Sequence, residues 1–304
     1  MASPSAKTSL ITYIPTNRQQ AFLMNIKRNW YMFSRNKISV VGLAAVILLV
    51  FTSLFQQYLA PYPHHAGPFV DFANANIAPC KQFLFGTDQY GRDVLSRIIF
   101  SFRNALTMGI GVLAIAAPVG VIMGLVAGYY KNRLISTIIM RVVDIFLSLP
   151  SLVLAMAISA MLEPTLMHSM MAITFSWWAW YARLVYGSAS SVRNEYYIQS
   201  AELIGAGRFH ILFREVLPNC FSTILTKMTL DMGIVILMGA ALSFVGLGEQ
   251  PPNPALGTMI ADGYKFLPNM WWLTIFPALA IMLIVLAFNL LGDGIGDMLS
   301  GGGV

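Results

Sequence analysis

The chain has 304 residues, of which 57% are hydrophobic and 11% are charged. Soluble globular domains carry about 25% charged residues, so this composition excludes an ordinary soluble domain and predicts a polytopic membrane protein. The net charge of +6 does not indicate nucleic-acid binding, because the basic residues lie at the ends of apolar runs, as the positive-inside bias of membrane proteins requires.

Residues 1–37 form a polar segment that contains several lysines and arginines and no acidic residue. Such a segment stays in the cytoplasm and orients the first membrane span, which we predict at 38–59. This apolar run is too long for the hydrophobic region of a cleavable signal peptide. Pro61 and Pro63 end the span, since proline cannot continue the helical hydrogen-bond ladder.

The segment 38–102 therefore comprises the first transmembrane helix and a polar external loop. Two interpretations of this loop are open: a structural turn in which aspartates accept bonds from nearby amides, or a docking surface for an external partner. Both concern the same residues, namely Gly86, Thr87, Asp88, Gly91, Arg92 and Asp93. We expect the adjacent His64 and His65 to be a solvated pair rather than a metal site.

The segment 103–292 is predicted to be a five-helix core. Its first helix, at 103–128, carries Gly120, Gly124 and Gly128 at four-residue steps, which predicts a face for close contact with another helix.

The third span is predicted at 136–162, with a kink at Pro150. Arg141 and Asp144 lie three residues apart near its cytoplasmic end. We expect them to pair with each other, and a contact at a gate of the pathway is the alternative role for Asp144.

The fourth span, at 167–188, contains a mid-span aromatic cluster that either lines the bundle interior or simply packs. The cluster consists of Trp177, Trp178, Trp180 and Tyr181. The fifth span, at 221–247, holds the deepest acid of the chain, Asp231, one turn from Lys227. An ionisable residue inside a membrane is a functional candidate, so a role in the pathway stands beside simple neutralisation by Lys227.

The sixth span is predicted at 271–292 and is followed by a glycine-rich cytoplasmic tail at 293–304. Six spans make the protein all-α and place both termini in the cytoplasm. This arrangement puts 14 of the 19 lysines and arginines on the cytoplasmic side. The other five are Lys81, Arg92, Arg97, Arg103 and Lys265. Cys80 and Cys220 fall on opposite sides of the membrane and cannot form a disulfide.

A charged cytoplasmic loop at 189–220 separates the fourth and fifth spans. Asn194 is the predicted N-cap of a short helix, and Gly205 is the predicted stop. Helical spacing places Tyr197, Ala201 and Ile204 on one face. A short amphipathic helix between two spans is suited to docking into a groove of a soluble partner.

Sequence motifs for catalysis are missing from the chain. It contains neither a G-x-x-x-x-G-K-[ST] phosphate loop nor an H-E-x-x-H zinc motif, so we expect no enzymatic activity of its own. The spans also lack the rows of ionisable residues that proton-driven carriers use. The energy for transport must then come from another chain through the 189–220 loop.

Five segments in order resemble the permease subunits of binding-protein-dependent ABC importers, specifically the C-type member of the dipeptide/oligopeptide/nickel family. In the cytoplasmic loop, Gln199-Ser200-Ala201, Gly205 and Pro218-Asn219 match the family's E-A-A loop, with Gln199 and Ser200 departing from its usual acid and alanine. The other segments are FGTD with GRD at 85–93, MRVVD at 140–144, LSFVGLG with QPP at 242–252, and AFNLLGDG at 287–294.

The resemblance implies a type I ABC importer permease fold in a bacterial inner membrane. It also implies a related second permease subunit, two cytoplasmic ATPases that bind ATP and magnesium, an external solute-binding protein, and no cofactor in this chain. The implied residues of ATPase coupling are Tyr197, Ile198, Gln199, Ser200, Ala201, Glu202, Ile204, Gly205 and Pro218. Within this set we expect Ala201 and Gly205 to allow close docking, and Tyr197 and Ile204 to supply apolar contacts.

The resulting prediction is half of a pathway for di- or oligopeptides. The alternatives are a non-peptide solute such as a nickel chelate, and a secondary transporter.

Overall fold

The computed structural model describes residues 18–299, which form helices and turns without a β-strand in that range. Lys7 of the basic lead and the last five residues of the predicted tail lie outside the described residues. The α-helices are α1 (Arg18–Arg35), α2 (Lys37–Leu54), α3 (Gln56–Leu59), α4 (Val94–Tyr129), α5 (Leu134–Ser148), α6 (Ser151–Ser159), α7 (Leu166–Val192), α8 (Tyr196–Leu203), α9 (Arg208–His210), α10 (Leu217–Phe244), α11 (Leu256–Gly263) and α12 (Trp272–Leu299).

Between residues 18 and 299, four helices are long and apolar enough to cross a membrane. They are α2, α4, α10 with the turns before it, and α12. The pair α5 and α6 passes the same test as one broken span and brings the number to five. Helix α7 has 27 residues but falls outside this set, because serines and aromatic residues lower its hydropathy.

The third predicted span breaks at Pro150 instead of kinking there. Leu149 and Pro150 both adopt extended backbone conformations, and α5 and α6 meet at 83°. Proline has no N–H for the helical ladder and disfavours helical geometry in the residue before it, so two neighbouring residues leave the helix together.

Three helices extend beyond the membrane spans that the sequence predicted. Helix α4 begins at Val94 instead of 103, because the Asp93 carboxylate caps it by accepting a bond from the Ser96 amide at 2.8 Å. Helix α10 begins at Leu217, and it continues directly from α9 through a π-helical segment at Ile211–Val216, so one long helix extends from Arg208 to Phe244 where 221–247 was predicted.

The C-terminal segment from 293 is helical up to Leu299, where a frayed tail was expected. The glycines of this segment allow α12 to pack closely against neighbouring helices. A β-carbon at Gly294 would lie 2.3 Å from the Ser39 β-carbon, so the missing side chain lets α12 approach α2. This close contact explains why a glycine-rich sequence continues as a helix here.

Helices α4 and α7 pack tightly along the predicted glycine face. A β-carbon at Gly120 would lie 2.3 Å from the Trp178 carbonyl oxygen, and one at Gly124 would lie 2.6 Å from the Ala182 carbonyl oxygen. The two backbones therefore touch, and the predicted close contact is confirmed. This pair forms the centre of the helix bundle.

Candidate functional site

Helix α8 is the short helix of the loop between α7 and α10. It begins after Glu195, which adopts the extended N-cap conformation without a side-chain capping bond. The prediction that Asn194 is the N-cap is wrong. The Asn194 amide donates to the Ser191 carbonyl, and its side chain donates to the Ser190 carbonyl at 3.2 Å. Asn194 is thus used to close the end of α7.

The C-terminal end of α8 is set by Gly205, as predicted. Gly205 has a φ of +85°, and the Ala206 amide donates to the Ala201 carbonyl across the turn at 3.0 Å. This bond pattern is the Schellman motif, which requires a left-handed residue after the helix. No atom lies within 4 Å of the position that a β-carbon at Gly205 would occupy. The left-handed backbone conformation therefore requires glycine here. Crowding does not, because the chain leaves space for a β-carbon.

The inner face of α8 rests on the protein's own core. Ile198 is fully buried and packs in a cluster with Leu125 of α4, Val185 of α7 and Val216 before α10. Ala201 packs against the same cluster. The prediction that Ala201 shares one face with Tyr197 and Ile204 is therefore wrong. Ala201 lies on the inner face, because tertiary packing turns it toward the core.

The outer face of α8 and the turn that follows it carry large apolar side chains in contact with solvent. Tyr196 is 84% exposed, Leu203 is 88% exposed and Ile204 is 85% exposed. Gln199 and Ser200 lie exposed between them at helical spacing. We call these five residues the docking face. A cluster of exposed apolar side chains of this kind marks an interaction site.

Hydrogen bonds attach α8 to two long helices. The Tyr197 hydroxyl accepts a bond from the Asn219 side chain of α10 at 3.0 Å. Glu202 accepts a bond from the Tyr129 hydroxyl, at the end of α4, at 2.8 Å. Tyr197 and Glu202 thus connect α8 to α10 and α4, respectively.

The external loop before α4 forms a hydrogen-bonded turn. The Thr87 hydroxyl donates to the Asn74 carbonyl at 2.7 Å and accepts from the Ile77 amide at 2.8 Å. The Asp88 carboxylate accepts from the Arg92 amide at 2.9 Å and from the Arg92 guanidinium at 2.7 Å. The interpretation as a structural turn is confirmed. Docking of an external partner on this turn stays a prediction.

Gly86 and Gly91 complete this turn. Their φ angles are +75° and +76°, in the region that residues with side chains rarely adopt. A β-carbon at Gly91 would also collide with the Asp71 carbonyl oxygen. The two glycines therefore allow the chain to fold back on itself before α4.

His65 is part of the same turn, and the expectation of a solvated histidine pair is wrong for it. It is 5% exposed, its ring stacks on Phe69, and its Nδ1 accepts a bond from the Asp93 amide at 2.9 Å. Only neutral His65 has a lone pair for this bond. Burial lowers the pKa of His65 below its ordinary value of 6.5, and the neighbouring His64 adds to this effect.

A lowered pKa in the folded state means that the loop is fully stable above pH 6.5 and loses stability as the pH falls below that value. We expect hydrogen-exchange protection of the Asp93 amide, corrected for intrinsic exchange, to fall by at most about tenfold per pH unit in this window. His65→Asn, whose side-chain oxygen can accept the same bond, should flatten the dependence, and exposed His64→Asn should preserve it. Equal slopes in wild type and His65→Asn would exclude His65 as the cause.

Asp231 of α10 is fully buried and forms the predicted pair with Lys227. Its carboxylate lies 2.6 Å from the Lys227 ammonium and accepts a bond from the Trp177 indole of α7 at 3.0 Å. The Lys227 side chain stays 28% exposed. The arrangement buries the acid and leaves the cation at a surface of the bundle.

Asp144 pairs with Arg183 of α7, so the expected pair with Arg141 is wrong. Arg141 points to the surface, whereas both partners of the actual pair are about half-exposed. The aromatic cluster near this pair is divided: Trp177 and Tyr181 are buried, whereas Trp180 is 42% exposed. Packing of α7 against α4 therefore decides which rings face inward.

Sequence reasoning missed Tyr196, Leu203 and Arg183. For Tyr196 and Leu203 a signal was present, since both are large apolar residues within a charged extramembrane loop. Nothing in the sequence indicated which acid Arg183 would contact, because that depends on how α5 packs against α7.

Comparison with known proteins identifies the family. Residues 118–301 match the model of the binding-protein-dependent transport system inner membrane component. Residues 26–79 match the N-terminal TM domain of oligopeptide transport permease C.

Several curated relatives match over almost the whole chain. The di/tripeptide transport system permease protein DppC of Pseudomonas aeruginosa (strain UCBPP-PA14) is 40% identical over 281 residues, which cover 90% of this chain and 91% of the relative. The dipeptide transport system permease protein DppC of Escherichia coli (strain K12) is 41% identical, with 89% and 91% covered. The glutathione transport system permease protein GsiD of Pectobacterium atrosepticum is 34% identical, with 96% of each chain covered.

These matches exceed what a shared helical fold alone would give, and they cover both ends of the described bundle. The chain is therefore a transport subunit of the inner membrane and has no enzymatic role of its own. It belongs to the family of binding-protein-dependent transport system inner membrane components, the permease subunits of ABC importers.

Proposed function

We propose that the chain forms one half of the translocation pathway of an ATP-driven importer for di- or oligopeptides. The observation that carries this proposal is the docking face, a group of exposed apolar side chains on a helix that is bonded to both α4 and α10. The names of the dipeptide and di/tripeptide relatives favour peptides over a nickel chelate or another small solute.

In this proposal, the docking face enters a groove of a cytoplasmic ATPase. A related second permease completes the pathway, two ATPases bind ATP with magnesium, and a solute-binding protein delivers the peptide from outside. Closure of the ATPases on ATP moves α8, and the bonds of Tyr197 and Glu202 transmit that movement to α10 and α4. The turn formed by Gly86, Thr87 and Asp88 gives the binding protein a rigid docking surface.

Charged side chains support a position for the pathway. The pair Asp144–Arg183 is about half-exposed, and the Lys227 side chain is 28% exposed beside the Trp180 ring. Charges facing lipid are costly, so we place these groups toward the second permease and a water-filled path. Asp231 then holds Lys227 in position.

Peptide uptake tests this function directly. We expect cells that lack the chain to lose uptake of a labelled dipeptide and to regain it with the wild-type chain. Uptake should stop when ATP is depleted and should survive collapse of the proton gradient while ATP is maintained. Uptake that survives ATP depletion and stops with an uncoupler would identify a secondary transporter instead.

We further propose six spans, with α7 as the additional one and both termini in the cytoplasm. At 1.5 Å per residue, the 27 residues of α7 extend about 40 Å, enough to cross a bilayer. Ser169 and Ser176 need no lipid contact, because they are buried in the bundle, and Arg183 is paired with Asp144. The basic residues beside α7 fit a cytoplasmic end at its C-terminus.

Thiol labelling tests whether α7 crosses. In a Cys80→Ser background, Glu163→Cys before α7 should react with a membrane-impermeant reagent applied from outside, and Ser191→Cys at the C-terminal end of α7, outside the docking face, should react only after permeabilisation. Both positions are exposed, so accessibility does not limit the reaction. Buried Cys220 should stay unlabelled in the folded protein. Labelling of both engineered cysteines from the same side would exclude the sixth span.

A further inference from the structure

A polar cavity of about 300 Å³ lies next to α8, at the end of α4 that is remote from the external loop. We call it the arginine pocket. Its walls come from the end of α4 and the turn after it, from the turn after α7, and from the segment between α8 and α10. The side chains that matter for its chemistry are Tyr129, Tyr130, Arg133, Arg193, Glu202 and Arg208.

The charge in this pocket is unbalanced. It contains three guanidinium groups and one carboxylate, and that carboxylate, Glu202, already accepts a bond from the Tyr129 hydroxyl at 2.8 Å. Among residues 18–299, none of the three arginines takes part in an ion pair. Arg193 donates to a backbone carbonyl, that of Lys131, at 3.4 Å. The pocket therefore has an excess of positive charge with donors left for a ligand.

Two neighbouring tyrosine rings contact all three arginines of the pocket. The guanidinium carbons of Arg133 and Arg208 each lie 5.9 Å from the centre of the Tyr130 ring, and that of Arg193 lies 5.5 Å from the centre of the Tyr129 ring. Cation–π attraction at an exposed site contributes about 0.5–1 kcal/mol per contact, which only partly offsets the repulsion among like charges. An anion between the arginines would remove that repulsion.

We propose that the arginine pocket binds a phosphate group, carried by the headgroup of an anionic phospholipid. The planar fork of a guanidinium matches two phosphate oxygens, and several arginines around one cavity suit a phosphate better than a single carboxylate. The tyrosines at the end of a membrane-spanning helix place the pocket at the level of the headgroups. The assignment of a phosphate ligand depends only on the residues of the pocket. The assignment of that phosphate to a lipid headgroup rests in addition on the proposed cytoplasmic position of this end of α4.

A lipid bound here would connect α4, α7 and the turn after α8. Glu202 and Arg208 lie on either side of that turn, so the occupied pocket would hold the base of the docking face against the membrane surface. Lipid composition would thereby influence how firmly α8 follows the bundle.

Titration of the purified importer in neutral detergent with a short-chain phosphatidylglycerol tests the site. We expect Arg133→Gln/Arg193→Gln/Arg208→Gln to bind the lipid on the order of 100-fold more weakly, since each basic residue near an anionic surface contributes about a fivefold factor. A control with the same loss of charge, Arg28→Gln/Arg35→Gln/Arg214→Gln, should bind within about twofold of wild type, because these exposed arginines lie outside the pocket.

Addition of inorganic phosphate to the same titration distinguishes a phospholipid headgroup from a soluble phosphate as the ligand. Failure of phosphate to displace the lipid supports the headgroup, and displacement by phosphate at similar concentrations assigns the same chemistry to a soluble phosphate. Unchanged lipid binding in the pocket variant, or an equal loss in the control variant, would overturn the proposal. Thermal unfolding and retention of the ATPases show whether each variant is folded and assembled. If the triple variant fails this check, the single Arg208→Gln variant replaces it, and its lipid affinity is expected to fall about fivefold.

Discussion

Leu203→Asp/Ile204→Asp is expected to reduce peptide uptake to background while the chain still inserts and assembles with its second permease. Both side chains are more than 80% exposed and contact no core cluster, so the substitutions leave the fold intact. Apolar residues at the centre of an interface contribute about 2 kcal/mol or more each, so two buried charges would weaken ATPase docking about 1,000-fold. Uptake of a labelled dipeptide in cells, together with the amount of co-purified ATPase, measures the effect.

The matched control keeps the apolar character of the face. Leu203→Met/Ile204→Val changes shape only slightly and should retain most uptake and ATPase binding. If the aspartate variant keeps normal uptake, the docking face has no role in coupling. If the aspartate variant fails to insert, the single Tyr196→Asp variant, on the same exposed face, is expected to weaken ATPase docking about 30-fold.

Asp231→Ala is expected to destabilise the helix bundle. It removes the carboxylate that the Lys227 ammonium contacts at 2.6 Å and the Trp177 indole at 3.0 Å. The substitution leaves the buried Trp177 N–H without its acceptor, which costs about 1–3 kcal/mol, and it removes the partner of Lys227, whose side chain keeps some contact with solvent. The midpoint of thermal unfolding and the amount of protein in the membrane should both fall.

A double substitution separates stability from function. Lys227→Met/Asp231→Leu removes both charges and should recover most of the stability, because an apolar pair of similar volume replaces the ion pair. We expect uptake to remain low in this variant if Lys227 lines the pathway. A double variant that is as unstable as Asp231→Ala would show that the ion pair is not the source of the effect.

The features that local chemistry determines could be predicted from the sequence. The stop of α8 at Gly205 follows from the left-handed conformation that glycine favours, and the packing of α4 follows from glycines at four-residue steps. The pair of Lys227 and Asp231 follows from their spacing on one helix. For Gly205 and for Lys227 with Asp231 the interacting groups are close in sequence, so local geometry fixes the contact. For α4 the glycine spacing predicts only a face that another helix can approach closely, and the sequence does not identify α7 as that helix.

The features that tertiary packing determines could not be predicted in this way. The phase of α8 depends on Ile198 fitting a cavity between α4, α7 and α10, and this turned Ala201 inward. Asp144 pairs with Arg183 because these two residues lie where α5 packs against α7. The start of α4 at Val94 depended on Asp93 acting as a cap within a turn that His65 also supports.

Photo-crosslinking at two positions of α8 tests the central claim most directly. A diazirine amino acid close in size to leucine is placed at Leu203 on the docking face, or at Ile198 on the buried face, in the assembled importer. We predict that position 203 crosslinks to the ATP-hydrolysing subunit and that position 198 crosslinks only within the permease. Equal crosslinking of both positions to the ATPase, or none from position 203, would contradict the account.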